Sequence, residues 1–183
     1  MRIIGGKIKG RKLSSVKHQR IRPTSERVRE SIFDILSFFV KGANVLDLFS
    51  GTGALGIEAL SRGAKRVVFI EKSNKATKLL KENVNKLGLK EVTMILPLEI
   101  EKGLKNLSKK GEIFDIIFMD PPYDKGLIKP TLYKIIDFGI LKKEGVIVVE
   151  HTARERPSPI FGLEIIKEKH YGDTFITLLH LRE

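Results

Sequence analysis

The chain has 183 residues, 42% of them hydrophobic, enough for one domain with a real core. It contains no cysteine, which excludes disulfides, thiolate metal sites and a cysteine nucleophile and is compatible with a reducing cytoplasm. No apolar run reaches the roughly 18 residues of a membrane span, and no apolar segment follows the basic amino terminus as in a signal peptide. The net charge of +12 is lopsided: residues 1–30 hold ten Lys or Arg against Glu26 and Glu30. An arm of that charge suits a polyanion.

Residues 1–22 are rich in Gly, Ser and Lys, and the apolar alternation Ile4…Ile8 and Leu13…Val16 predicts a small hairpin. Arg22-Pro23-Thr24 breaks the chain. Thr24 is a plausible N-cap, Glu26 suits the first helical turn, and Val28, Ile32, Ile35, Leu36 and Phe39 recur at helical spacing until Gly42. Arg22, Arg27 and Arg29 lie near the start of this helix. Val45–Phe49 reads as a buried strand, followed by the loop Ser50-Gly51-Thr52-Gly53-Ala54-Leu55-Gly56 and a helix ending at Gly63. Arg66–Ile70 is a second strand ending at Glu71, and Ala76–Leu87 a helix closed by Gly88. Val92–Leu96, residues 113–119 and Val146–Val149 complete five apolar strands, with helices at Glu101–Ser108 and Ile128–Phe138 between them. Such alternation predicts an α/β fold, a mostly parallel sheet covered on both faces. Glu164–His170 and Thr174–Leu181, joined by Tyr171-Gly172-Asp173, predict a terminal hairpin that adds one antiparallel strand, making about seven in all.

Two stretches carry chemistry. Gly51-x-Gly53-x-x-Gly56 follows the first strand, and Glu71 falls 20 residues after Gly51, an arrangement suited to an adenosine-containing cofactor whose ribose hydroxyls an acid can hold. Asp47, ahead of the glycines, would repel a pyrophosphate but tolerates the ammonium and sulfonium of S-adenosylmethionine. Asp120-Pro121-Pro122-Tyr123 follows the fourth strand. Asp120 and the Pro121 carbonyl suit the two N–H bonds of a planar amine, and Tyr123 suits stacking on the ring that carries it.

Asp47-Leu48-Phe49-Ser50-Gly51-Thr52-Gly53 with Asp120-Pro121-Pro122-Tyr123 resembles the class I S-adenosylmethionine-dependent amino-methyltransferases, which have a Rossmann-like fold. Arg2-Ile3-Ile4-Gly5-Gly6, Gly10-Arg11-Lys12-Leu13 and Arg22-Pro23-Thr24 with Val28-Arg29-Glu30 and Phe33 narrow the resemblance to the bacterial small-subunit (16S) rRNA (guanine-N2)-methyltransferase family. The resemblance implies that Asp47, Ser50, Gly51 and Gly53 line the methionine end of the cofactor. Glu71 then binds the ribose, Lys72 and Ser73 sit beside the adenine, and Asp120, Pro121, Pro122 and Tyr123 hold the guanine amine. Arg22 and Thr24, with the helix after them, close over cofactor and base. Arg11, Lys12, Arg22, Arg27 and Arg29 face RNA phosphates.

On this reading residues 1–40 form a basic arm and residues 41–183 the catalytic domain. The enzyme is cytoplasmic and monomeric, uses no metal, and acts on 16S rRNA or the small ribosomal subunit. After the third strand, Leu96-Pro97-Leu98-Glu99-Ile100 departs from the family pattern, leaving open whether Glu99 or a backbone group meets the adenine amine. The alternatives are adenine N6 in RNA or DNA as target, a nicotinamide oxidoreductase, or a silent RNA-binding factor. Phe33 is read as core or cofactor contact and Phe38-Phe39 as core or interface. His151 is read as structural before substrate-binding. Glu58 and Glu150 have no assigned role.

Overall fold

The computed structural model describes residues 1–15, 26–157 and 160–182. Seven strands form one sheet in the order β3-β2-β1-β4-β5-β7-β6. They are β1 (Asn44–Leu48), β2 (Arg66–Ile70), β3 (Thr93–Leu96), β4 (Phe114–Met119), β5 (Leu141–His151), β6 (Leu163–Tyr171) and β7 (Thr174–Leu181). β1 to β5 run parallel, and β7 is antiparallel to both β5 and β6. The helices are α1 (Glu26–Ile35), α2 (Ala54–Ser61), α3 (Asn74–Lys86), α4 (Ile100–Lys109) and α5 (Ile128–Asp137). The expected mostly parallel sheet with a terminal antiparallel hairpin is therefore observed.

Alternation along the strands sorts the core into two layers. Val45, Phe69, Ile116 and Phe118 pack with α1, α2 and α3, whereas Leu46, Ile70, Ile117 and Met119 pack with α4 and α5. The strands read as continuous apolar runs because both faces are covered. Several boundaries differ from expectation: α2 begins at Ala54, inside the stretch read as loop, and α3 at Asn74 rather than Ala76. α1 stops at Ile35; Leu36 remains buried, but the chain then turns and leaves Phe38 and Phe39 96% and 51% exposed, so neither is core. β5 starts at Leu141, where an exposed Lys-Lys-Glu stretch hides the strand and the register against β4 shifts between Phe114 and Ile116.

The amino-terminal residues pair antiparallel around a bridge between Arg2 and Lys12. Ile3 and Leu13 are the buried residues of this hairpin rather than Ile4 and Ile8, which are half-buried. Gly6 (φ 76) lies where an added Cβ would sit 1.9 Å from the Ser61 carbonyl oxygen, so only glycine lets the turn close on the end of α2. Among the described residues, no helix is long and apolar enough to cross a membrane.

Candidate functional site

Strand pairing brings the two chemical stretches to one edge. Leu48 pairs with Ile70 on one side and Met119 on the other, and Met119 pairs with Val149. The next residues along, Phe49, Glu71, Asp120 and Glu150, therefore stand at the carboxyl ends of four adjacent strands, which are spaced about 4.8 Å apart. This edge includes the point between β1 and β4 where the strand order reverses, the usual ligand crevice of an open α/β sheet.

The glycine loop is wound tightly by left-handed backbone at Phe49 (φ 57), Gly51 (φ 54) and Gly53 (φ 81). A Cβ on Gly53 would also lie 2.3 Å from Leu80 Cδ1. The Ser50 hydroxyl lies within hydrogen-bond reach of both the Asp47 and Ile70 carbonyls, pinning the loop between β1 and β2. Glu71 accepts from Gly51 N–H at 2.8 Å and from Ser73 N–H at 2.7 Å, so its carboxylate is set by backbone on both oxygens and retains lone pairs for ribose hydroxyls. Ser73 caps α3, its hydroxyl accepting from Ala76 N–H. Lys72 and Glu99 form an exposed pair at 3.6 Å on the rim beside it.

Asp47 lies beneath the loop, 2% exposed, and accepts one hydrogen bond from Gly56 N–H at 2.9 Å in the first turn of α2. Burial pushes its carboxyl up to about 8; the Gly56 N–H opposes this and the Glu71 charge adds to it. A buried acid so thinly compensated fits a cationic group and disfavours a phosphate.

At the other half of the edge, Pro121 is buried and Pro122 exposed. Tyr123 donates its hydroxyl to Glu150 Oε1 at 2.7 Å. Burial, followed by the charge of Glu150, raises the tyrosine well above its usual range, so the phenol stays protonated. The chain just after it is fixed too, since Glu155 accepts from Asp124 N–H and Gly126 N–H, both at 2.7 Å.

The amino-terminal arm divides. Arg11, Lys12 and Arg27 are exposed. Arg22 and Thr24, and His18 with them, lie outside the described residues. Arg29, expected to face RNA, is instead 0% exposed: it donates to the Arg2 carbonyl at 2.8 Å and lies 3.9 Å from Glu58. It sits on the packed face of α1 beside Val28 and Ile32, where no nucleic acid reaches. Phe33 is fully buried, 5.6 Å from Phe118 under the Arg62 guanidinium, and is core. His151 is fully buried between the Thr152 carbonyl and the Thr177 hydroxyl and stacks on Phe175, a structural position.

Sequence reasoning missed four polar residues that build this edge or tie the arm to it. Fully buried Glu58 accepts from Ile4 N–H (2.9 Å), Gly5 N–H (2.8 Å) and Arg62 Nε (2.8 Å). Asn83, also fully buried, joins Ser14 to the glycine loop. The others are Glu150 and Glu155. The available signal was a charge or amide inside an otherwise apolar helical stripe, Leu55–Leu60 for Glu58 and Leu80–Val84 for Asn83. Among the described residues, no group of three His, Asp or Glu side chains is arranged to hold a metal ion.

Residues 1–180 match the family described as Conserved hypothetical protein 95. The chain is 36% identical over 183 residues, the whole of both proteins, to the Putative rRNA methyltransferase YlbH of Bacillus subtilis. It is 37% identical over 150 residues, 82% of this chain and 74% of the relative, to Ribosomal RNA small subunit methyltransferase D of Escherichia coli K12. A solved structure, the putative methyltransferase yhhF from Escherichia coli, superposes with a TM-score of 0.88 at 33% identity, covering 100% of this chain and 98% of that one. The chain therefore belongs to the Conserved hypothetical protein 95 family, together with these ribosomal RNA methyltransferase relatives, and has their class I methyltransferase fold.

Proposed function

We propose that the protein transfers a methyl group from S-adenosylmethionine to the exocyclic N2 amine of a guanine in the 16S rRNA of the small ribosomal subunit. Methylation of ribosomal RNA is the activity named for its relatives. The observation that carries the reading is the pairing of β1 with β4, which brings the glycine loop and Asp120–Tyr123 to the same edge of the sheet. Asp47 fits the cofactor's ammonium, with Ser50, Gly51 and Gly53 around the methionine end. Glu71 fits the ribose, and Lys72 and Ser73 flank the adenine. Arg22 and Thr24 suit contacts to cofactor and base, and Arg11, Lys12, Arg22 and Arg27 contacts to phosphates. The bound cofactor supplies an electrophilic methyl on a positively charged sulfur.

The protein's own work is placement and electrostatics. The purine amine is a poor nucleophile because its lone pair is delocalised into the ring. Asp120 and the Pro121 carbonyl accept its two N–H bonds and turn the nitrogen lone pair out of that conjugation, toward the methyl. Positive charge then builds on nitrogen beside the Asp120 carboxylate, which stabilises it and accepts the departing proton. The second Asp120 oxygen favours guanine over adenine: guanine presents an N1–H donor next to its amine, adenine a ring-nitrogen acceptor that a carboxylate repels. The base reaches Tyr123 from a loop or by leaving its stack.

Mass spectrometry of nucleosides from ribosomal RNA of a strain lacking the gene tests this. Loss of N2-methylguanosine supports it. Loss of N6-methyladenosine moves the target to adenine, and no loss of any methylated nucleoside removes the activity.

A further inference from the structure

Tyr123 is held at more points than a stacking ring on a surface turn requires. Two prolines precede it and restrict the backbone, and Glu155 pins the amides of Asp124 and Gly126 just beyond it. Its hydroxyl donates to Glu150 at 2.7 Å. Glu150 is 4% exposed at the end of β5, the strand beside the one that delivers Asp120. Burying a carboxylate is costly unless it does something specific, and here it fixes the far tip of the ring while the loop fixes the near end.

We propose that Glu150 is a positioning residue: by anchoring the Tyr123 hydroxyl it sets the plane on which the target base stacks, so the base amine arrives level with Asp120. This rests on the methyltransferase reading above. A ring already ordered before the base arrives loses no rotamer freedom on binding, and it presents one orientation rather than several. The role is distinct from that of Asp120, because Glu150 acts on the base only through Tyr123.

The test is a double-mutant cycle on the intact enzyme, with kcat and KM for the RNA and Kd for the cofactor measured for Glu150→Ala, Tyr123→Phe, their combination and Glu150→Gln. The expected result is a rise in KM for RNA on the order of tenfold in each single alanine or phenylalanine variant, from loss of one charge-assisted hydrogen bond. Cofactor Kd is unchanged, and the double variant is no worse than either single. Glu150→Gln, whose amide oxygen still accepts from the phenol, restores the parental KM. Effects that multiply in the double variant, or a parental KM in Tyr123→Phe, overturn the proposal. Should Glu150→Ala fail to fold, Tyr123→Phe against Glu150→Gln decides alone: a raised KM in the first and a parental one in the second support it, and any other pattern overturns it. A parent enzyme that methylates no RNA overturns the proposed function and this inference with it; an active parent with unaffected variants overturns only this inference.

Discussion

Asn83 donates from its side-chain amide to the Thr52 carbonyl in the glycine loop at 3.1 Å, and the same carboxamide pairs with both backbone groups of Ser14 at 2.7 and 3.1 Å. One buried side chain thus ties the described end of the basic hairpin to the loop proposed to hold the cofactor. Asn83→Ala leaves two half-buried carbonyls and an amide without this partner, at about 1–3 kcal/mol. Urea unfolding is expected to show that loss, together with a weaker cofactor Kd because Thr52 is no longer held. A variant with parental stability and affinity would show that the latch carries neither.

The Glu58 clamp predicts a local effect as well as a global one. Removing the carboxylate leaves Arg29 as a buried cation whose charged partner is gone, so Glu58→Ala is expected to cost roughly 3–5 kcal/mol. Hydrogen exchange at the Ile4 and Gly5 amides, which donate to Glu58, should accelerate in a milder Glu58→Gln variant before global stability is lost. Unchanged protection there would mean that the Glu58 bonds do not hold the hairpin.

Gly53→Ala tests the loop. The residue has φ 81, and the added methyl would meet Leu80 Cδ1 at 2.3 Å. Left-handed strain of about 1–2 kcal/mol plus the shift of Leu80 should weaken cofactor binding at least roughly tenfold. Calorimetric titration with S-adenosylhomocysteine reads this directly, and a parental Kd would contradict it.

The titration of Asp47 has a definite sign. Its folded value of about 8 lies above the ordinary carboxylate value, so the folded protein binds the proton more tightly than the unfolded chain. Its contribution is therefore stabilising at low pH and is lost as pH rises from about 4 through about 8. Denaturation at pH 5.5 and 8.0 should show the parent losing stability toward pH 8.0 and Asp47→Asn losing less. A bound ammonium favours the ionised form, so S-adenosylhomocysteine binding at pH 7 should release a proton, seen as a buffer-dependent heat. Asp47→Asn should abolish that release.

Much of the fold was legible because its signals are local. Each central strand is a short apolar run, and each glycine or proline at its end sits within a few residues of what it terminates. Asp47, the glycine loop, Glu71 and Asp120–Tyr123 could be placed on one edge once the strands were counted. The rest depends on partners far apart in the chain. Asn83 meets Ser14 across 69 positions, Glu58 meets Ile4 across 54, and Glu150 meets Tyr123 across 27. Nothing near any of them announces the partner. Arg29 was misread for the same reason: a cation in a basic segment reads as surface, and only the backbone of Arg2 and the carboxylate of Glu58 show why it is inside. β5 began unnoticed because its first residues after Leu141 are exposed and charged.

The central claim is that a base amine is held at Asp120 beside a methyl donor seated at the ends of β1 and β2. Single-turnover methyl transfer by Asp120→Asn, with cofactor Kd measured in parallel, tests it most directly. The account predicts a rate lower by roughly a hundredfold or more at unchanged cofactor affinity, since the lost carboxylate stabilises only the charge that develops on nitrogen. A near-parental rate in that variant would contradict it.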